Sequence, residues 1–136
     1  MTEIDELEGV ELAEAVAKAR GWKRDEQHPT RWDACGGAGR GWCIDDGEPI
    51  YRGKELYSYR PDRDIAQAWE LVEKMKQRGF ELSPLSSGRY GDATWRVRFV
   101  HEDYSDGMPW EAGFFAFGST APTAICRAYL KAKEGA

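Results

Sequence analysis

The feature that most constrains this chain is residues 61–79, PDRDIAQAWELVEKMKQRG, because they carry the clearest helical pattern in the sequence. Asp62 precedes the pattern as a candidate N-cap, and Gly79 follows it as a candidate C′ residue. The predicted buried stripe comprises Ile65, Ala68, Trp69, Val72 and Met75 or Lys76. A helix with one apolar face needs a covering layer, and its Trp69 is predicted to lie in the core.

Two other segments predict helices. Residues 10–20, VELAEAVAKAR, place Val10, Ala13, Val16 and Ala17 on one stripe, with Gly21 at the position of a left-handed C-cap. Residues 118–135, GSTAPTAICRAYLKAKEG, predict a last helix whose buried stripe holds Ile125, Ala128 and Ala132. The chain is therefore expected to pack three helices against another layer.

Three segments after residue 79 predict strands. FELSPL at 80–85 is read as an edge strand ended by Pro84, and ATWRVRFV at 93–100 alternates apolar side chains with Arg96 and Arg98. The apolar run WEAGFFAFG at 110–118 predicts a strand covered on both faces, with helices on either side of the sheet as the cover. Short connections favour antiparallel pairing.

Together these elements predict one α+β domain over residues 1–136. Its centre is a small antiparallel sheet of about three strands sandwiched by helices. Residues 22–60 lack a helical period and are rich in Gly, Pro and aromatic side chains, which predicts an irregular insertion with a short hairpin between the first two helices.

Composition excludes several classes of protein. No apolar run approaches the roughly 20 residues that span a bilayer, and the acidic start MTEIDELEGV is unlike a signal peptide, so we expect a cytoplasmic chain that does not bind membranes. Three cysteines without an export signal favour free thiols over a disulfide framework. A net charge of −5 argues against nucleic acid polymers as partners.

The sequence supports no metal centre, cofactor site or catalytic apparatus. His28, Cys35 and Cys43, with Cys126 or His101 as a fourth ligand, lack the close pairs of structural zinc sites. The glycines of CGGAGRG at 35–41 lack the Gly-Lys-Ser/Thr ending of a phosphate loop. No nucleophile motif is present, and we expect a protein that is not an enzyme.

Aromatic and arginine side chains crowd the irregular insertion. Aromatic planes and guanidinium groups suit a stacked base and a phosphate, and they also anchor protein interfaces. The predicted binding surface consists of Trp32, Arg40, Trp42, Tyr57, Tyr59 and Arg60, completed by Arg96, Arg98 and Thr120. The alternative is that these rings form a satellite core over the helices while the arginines are solvated.

The STAP stretch at 119–122 opens the last helix. Thr120 is a suitable N-cap, and Pro122 sits in the first turn, where its missing N–H costs nothing. The free N–H groups of such a helix start also suit a phosphate or carboxylate, so Ser119 and Thr120 form a second candidate for binding. Capping alone explains most of the pattern.

Two helical phrases carry a family resemblance. DIAQAWELVEKMKQRGFEL at 64–82 and TAPTAICRAYLKA at 120–132, with a tryptophan-bearing strand pair between them, resemble the small bacteriophage proteins of the ABA-sandwich domain family over about residues 58–133. The opening ELEGVELAEAVAKARGW is similar to the N-terminal phrase of those proteins and of related phage early-region proteins. The resemblance implies helices around a small antiparallel sheet, and accessory work inside a bacterial host.

The resemblance carries no catalytic residues, so function rests on the binding surface. We expect a non-enzymatic accessory protein of the host cytoplasm that sequesters a small, anionic, nucleotide-like ligand in counter-defence. The alternatives are an inhibitor that binds a host defence protein directly and a structural or assembly component of the phage particle. A homo-oligomer is compatible with each of these.

Overall fold

The computed structural model describes residues 4–33, 41–87, 95–101 and 113–135. Its helices are α1 (Gly9–Ala19), α2 (Ile65–Gln77) and α3 (Ala121–Gly135), with one 3-10 turn at Ile4–Glu6. Its strands are β1 (Lys23–Arg24), β2 (Arg31–Asp33), β3 (Gly41–Cys43), β4 (Tyr51–Arg52), β5 (Glu55–Leu56), β6 (Phe80–Ser87), β7 (Trp95–His101) and β8 (Phe114–Gly118). The predicted order of three helices and three longer strands is confirmed, and the fold is α+β.

The main sheet is β6-β7-β8, with both pairs antiparallel. Its register sets Val97 opposite Ala116, and places Phe99 between Leu82 and Phe114. Directly paired residues share one face of a sheet, and on this face Val97, Phe99 and Ala116 are fully buried. Helix α3 contacts β7 and β8, and α2 contacts β6, so the core lies between the sheet and these helices.

The opposite face of the main sheet is more open. Arg96 pairs with Phe117 and Arg98 with Phe115, and Phe117 is 41% exposed. The prediction of a strand covered on both faces is therefore wrong at Phe117: a continuous apolar run does not tell a doubly covered strand from one whose outer aromatic rings meet solvent.

Side chains of α3 cover the outer edge of β8. Arg127 Nη1 donates to the Phe117 carbonyl oxygen over 2.8 Å, and Lys131 Nζ donates to that of Phe115 over 3.1 Å. Unpaired carbonyl groups on an edge strand invite pairing with another chain. These two contacts satisfy acceptors that the sheet itself leaves open, and they tie α3 to the strand.

Helix α2 starts and packs differently from the prediction. Its N-cap is Asp64, whose carboxylate accepts from the N–H groups of Ala66 and Gln67, and the predicted cap Asp62 is buried elsewhere. Gly79 has the predicted left-handed backbone, with φ of 86°. The buried stripe includes Ala68, Leu71, Val72 and Met75.

The core assignment of Trp69 is wrong, since its side chain is 42% exposed, and Ile65 is exposed as well. The 3.6-residue period fits two neighbouring stripes of α2, one through Trp69 and one through Leu71. Contacts of α2 with α3 and with β6 select the stripe of Leu71. In α1 the predicted stripe is confirmed at Ala13, Val16 and Ala17, which are fully buried.

The insertion at 22–60 is more regular than predicted. Strands β1, β2 and β3 form an antiparallel sheet, and β4 and β5 form a two-stranded hairpin. Cys43 joins this sheet to the following segment, because its N–H donates to the Tyr57 carbonyl and its own carbonyl accepts from the N–H of Tyr59. Trp22, Trp32 and Tyr59 belong to the same buried cluster as the helices.

A buried ion pair lies between the insertion and α2. Arg60 binds the Asp62 carboxylate through Nε and Nη2, each at 2.8 Å, and its Nη1 donates to the Asp45 carbonyl over 2.8 Å. The hydrogen bonds that Arg60 donates to the Asp62 carboxylate raise the pKa of its guanidinium. Gln67 of α2 accepts from the Arg60 N–H and donates to the Ser58 carbonyl.

The capping role of Thr120 is confirmed and extends to the same ion pair. Thr120 Oγ1 accepts from the Thr123 N–H over 3.3 Å, and Thr123 Oγ1 donates to the Asp62 carbonyl over 3.0 Å. A Cβ atom on Gly118 would lie 2.7 Å from the Ala124 nitrogen, so the turn into α3 has no room for a side chain there. The STAP stretch thus docks the start of α3 beside Asp62.

Leu71→Ala is expected to lower the free energy of unfolding by about 2–5 kcal/mol, because it leaves a cavity in a fully buried site. Trp69→Ala, on the same helix, should change it by less than about 1 kcal/mol, since this side chain is largely at the surface. Urea denaturation of both variants measures the difference. Equal losses would contradict the assigned buried stripe.

Asp62→Asn is expected to destabilise the fold by about 3–5 kcal/mol, because it leaves the buried Arg60 guanidinium without its counter-charge. Asp46 provides a matched control: its carboxylate lies 3.6 Å from the same guanidinium but is almost fully exposed. Asp46→Asn should cost less than about 1 kcal/mol. Thermal and urea unfolding of the two variants measures both losses of stability. A larger loss for Asp46→Asn than for Asp62→Asn would refute the assignment of Asp62 as the counter-charge of Arg60.

Candidate functional site

The structure gathers two of the predicted site residues, Trp42 and Tyr59, into an aromatic cluster with Trp22. The Trp22 and Trp42 rings stack with centroids 5.9 Å apart, and the Tyr59 ring lies 4.5 Å from Trp22 and 5.7 Å from Trp42. Tyr59 is only 1% exposed, and burial raises the pKa of its hydroxyl. These rings therefore pack as a satellite core, the alternative that the sequence left open.

Other predicted site residues of the insertion are placed separately. Trp32 is buried under the Arg24 guanidinium, which lies 5.1 Å from the ring centroid, and its Nε1 has no hydrogen-bond partner in the described part of the chain. Tyr57 is half-buried, and its hydroxyl donates to Glu55 over 3.1 Å. Arg60 is held in the ion pair described above, and Arg40 lies outside the described residues.

The remaining predicted residues lie elsewhere in the fold. Arg96 and Arg98 are on the outer face of the main sheet, and Thr120 caps α3. The described ones among the nine predicted residues thus lie in separate places: the aromatic cluster (Trp42, Tyr59), the buried ion pair (Arg60), the outer sheet face (Arg96, Arg98), a helix cap (Thr120), and separate positions in the insertion (Trp32, Tyr57). A role in binding for each of them stays a prediction.

A different group of side chains forms a small cavity where the three helices end. Arg20 is the C-cap of α1, the last turn of α2 leads into its C-cap Arg78, and Lys133 lies in the last turn of α3. The cavity has a volume of about 250 Å³. We call it the basic cavity, and it is lined by Arg20, Trp22, Lys74, Gln77, Arg78, Tyr129 and Lys133.

The lining of the basic cavity carries four cationic side chains and no acidic one. Arg20 is partly balanced, because its Nη1 lies 3.8 Å from the Glu70 carboxylate. For Lys74, Arg78 and Lys133, the described part of the chain supplies no ion-pair partner. Lys74 and Arg78 are exposed and Lys133 is half-buried, so the group concentrates positive charge at one place on the surface of this acidic protein.

Ionisation in the basic cavity reflects this crowding. Burial and the charge of Arg78 lower the pKa of the Lys133 ammonium. Burial raises the pKa of the Tyr129 hydroxyl, and the charges of Arg20 and Arg78 oppose that rise. Burial is the largest cause for both groups, and the charge of Arg78 acts to lower the pKa of each.

Helix dipoles explain why cations gather at this end of the fold. The C-terminus of a helix carries about half a negative charge, so basic side chains in a last turn are stabilised there. The three helix ends together supply a partial charge of about −1.5 elementary charges, and Glu70 supplies one more negative charge. The four cations of the lining supply +4. An excess of positive charge remains, and it suits an anion bound by charge-assisted hydrogen bonds.

The sequence analysis missed this cavity because its cations come from three separate segments. The signal was present in the helix ends, where Arg20 precedes Gly21 and Arg78 precedes Gly79. Each pair reads as a helix stop, and periodicity alone does not show that the stops meet in space.

Two other cavities are larger but less suited to an anion. One, of about 450 Å³, lies beside the start of α2 and includes the Asp64 carboxylate and the already paired Arg60. The other, of about 400 Å³, lies between the 3-10 turn, α1 and α3, and is lined by Ile4, Leu7, Ala15, Lys18, Ala19, Leu130, Lys133 and Glu134. The second contains two cations, Lys18 and Lys133, but its lining also includes the Glu134 carboxylate.

Within the described residues no group of His, Cys, Asp and Glu side chains is arranged to hold a metal ion. Cys43 and Cys126 are free thiols, and burial raises the pKa of both. Cys35, the third predicted thiol, lies outside the described residues. No helix in the described part of the chain is long and apolar enough to cross a membrane.

Comparison with known proteins gives one result. The model of the phage ABA sandwich domain matches residues 30–130, a span that covers most of the insertion, α2, the main sheet and most of α3. No curated protein gives a significant match. The matched span includes the first helical phrase on which the resemblance was based and the second as far as residue 130, and it extends beyond them into the insertion. The chain belongs to the phage ABA sandwich domain family.

Proposed function

We propose that this phage protein is a non-enzymatic accessory factor of the host cytoplasm that binds and sequesters a small anionic molecule, with a nucleotide-like host signal as the leading ligand. The observation that supports this most directly is the basic cavity, where Lys74, Arg78 and Lys133 share one space without counter-ions in the described structure. Removal of a host signal would serve counter-defence, and it requires affinity alone.

The chemistry of the cavity is sufficient for useful affinity. Hydrogen bonds to charged groups contribute about 1.5–3 kcal/mol each. A micromolar complex corresponds to about −8 kcal/mol, and four such bonds of about 3 kcal/mol each reach it after about 4 kcal/mol is lost on association. The lining offers neither a carboxylate nor a histidine for proton transfer, which favours binding over catalysis.

The charge distribution favours a small ligand over a polymer. The whole chain has a net charge of −5, so a long phosphate backbone leaving the basic cavity would meet a repulsive surface. A compact anion occupies the positive space alone. We therefore infer a free metabolite or signal molecule as the ligand, with neither a nucleic acid nor a membrane as partner.

Isothermal titration with a panel of linear and cyclic nucleotides tests the proposal. Lys74→Gln and Arg78→Gln should each weaken the binding of the responding nucleotide by about tenfold or more, since each removes one charge-assisted contact. Lys76→Gln is the matched control: it removes the same charge from the same helix, but Lys76 faces Glu73 at 3.9 Å and does not line the cavity. The control should change the affinity by less than about twofold, as a screened surface charge does.

The proposal fails if no nucleotide binds at low ionic strength, or if Lys76→Gln weakens binding as much as the cavity variants do. Thermal unfolding of each variant shows whether a loss of binding reflects a loss of fold. Pull-down from host lysate, run alongside, separates the other functions: a single stoichiometric host protein indicates an inhibitor, and virion proteins indicate an assembly component.

A second candidate function, inhibition of a host protein by direct binding, is favoured by an apolar patch. The patch includes Ile65 and Trp69, which are one turn apart on α2, and Ile50 and Tyr51 beside the hairpin; all four are exposed. Leu56 pairs with Tyr51 and lines a cavity with Ile65, which connects the hairpin to the helix. Exposed Trp and Tyr side chains are common anchors of protein interfaces.

If the patch binds a host protein, Trp69→Ser should abolish its capture in the pull-down while the nucleotide affinity of the basic cavity stays unchanged. Phe117→Ser provides a control of similar exposure, since Phe117 lies on the outer face of the main sheet. Equal capture by the wild type and Trp69→Ser would remove the patch from consideration. If Phe117→Ser lost capture and Trp69→Ser did not, the interface would lie on the outer face of the main sheet.

A further inference from the structure

We infer that the basic cavity recognises a chain of two or more linked phosphate groups and does not read the base of a nucleotide, so that pyrophosphate is its smallest full ligand. The inference deepens the proposed function and rests on it, because it concerns the same cavity. It follows from the cover on the aromatic rings, the volume of the cavity and the number of cations without partners.

The aromatic rings of the cavity are not open to a base. Trp22 is 8% exposed, with the Arg20 guanidinium 4.7 Å from its centroid and the Trp42 ring stacked against it. Tyr129 is 3% exposed. Stacking needs an accessible ring face, and each ring here is already covered by protein. The Trp and Tyr in the lining therefore form walls and not a platform for stacking.

The volume also excludes a whole nucleotide. At about 250 Å³ the cavity is smaller than the roughly 300–1,000 Å³ of sites that enclose drug-sized ligands. Two linked phosphates fit such a space, whereas a base and a ribose would have to remain outside it.

The number of cationic donors favours more than one phosphate. In the described structure Lys74, Arg78 and Lys133 have no ion-pair partner, and Arg20 is shared with Glu70. The helix ends and Glu70 already offset about 2.5 of these four positive charges, so the distribution of the donors, and not their net charge, favours two linked phosphate groups. The cations also come from the ends of three helices, and a longer anion contacts more of them at once.

The test compares ligands that differ in one part. Isothermal titration of the full chain should give dissociation constants within about threefold of each other for pyrophosphate, ADP and GDP, because their shared part is the linked phosphates. AMP and orthophosphate should bind at least about tenfold more weakly, which is about 1.4 kcal/mol. Adenosine should neither bind nor compete with ADP. Lys74→Gln should weaken pyrophosphate and ADP by the same factor, with Lys76→Gln as control.

Two results overturn the inference while the proposed function survives: ADP that binds tenfold or more tightly than pyrophosphate, or adenosine that competes with ADP. Either would show that the base contributes to recognition. The absence of binding by every compound in this series and by the wider nucleotide panel would instead end the proposed function. Lys133→Gln gives an independent check from another helix, and it should weaken pyrophosphate and ADP equally.

Discussion

The buried ion pair between Arg60 and Asp62 is the interaction on which the rest of the arrangement depends. It lies where the insertion ends. Arg60 donates to the Asp45 carbonyl, and the backbone carbonyl of Asp62 accepts from the Thr123 hydroxyl of α3. Removing two charges from water costs several kcal/mol per ion, so the pair contributes little net stability. Its effect is on uniqueness: a different packing of the insertion keeps these two neighbouring residues together but leaves the groups around them without their hydrogen bonds.

The same docking fixes the opposite end of the fold. Helices α2 and α3 both begin beside Asp62, and their last turns meet Arg20 of α1 in the lining of the basic cavity. The three helix ends carry partial negative charge, which stabilises Lys and Arg side chains that would otherwise repel one another. Ordinary helix-stop chemistry, repeated three times at one place, thus gathers the cations on which the proposed anion site depends.

Sequence reasoning recovered what local chemistry determines and missed what packing decides. The C′ glycine of α2, the Thr120 cap and the alternation of β7 follow from neighbouring residues and were confirmed. The choice between Trp69 and Leu71 as the buried stripe depends on where α3 lies, which the 3.6-residue period does not contain. The basic cavity was out of reach for the same reason, because its cations are distant in sequence and meet only when the helix ends converge.

The aromatic residues of the insertion are still connected to the cavity, though through a different arginine from those predicted. Arg20 lies over the Trp22 ring, and its Nη1 donates to the Tyr59 hydroxyl over 2.9 Å. Tyr59 in turn is fully enclosed and packs against Trp42. A guanidinium held by a cation–π contact and a hydrogen bond loses little further freedom when an anion binds. The rings that suggested a stacking surface therefore act from inside the core, where they fix the orientation of one wall of the basic cavity.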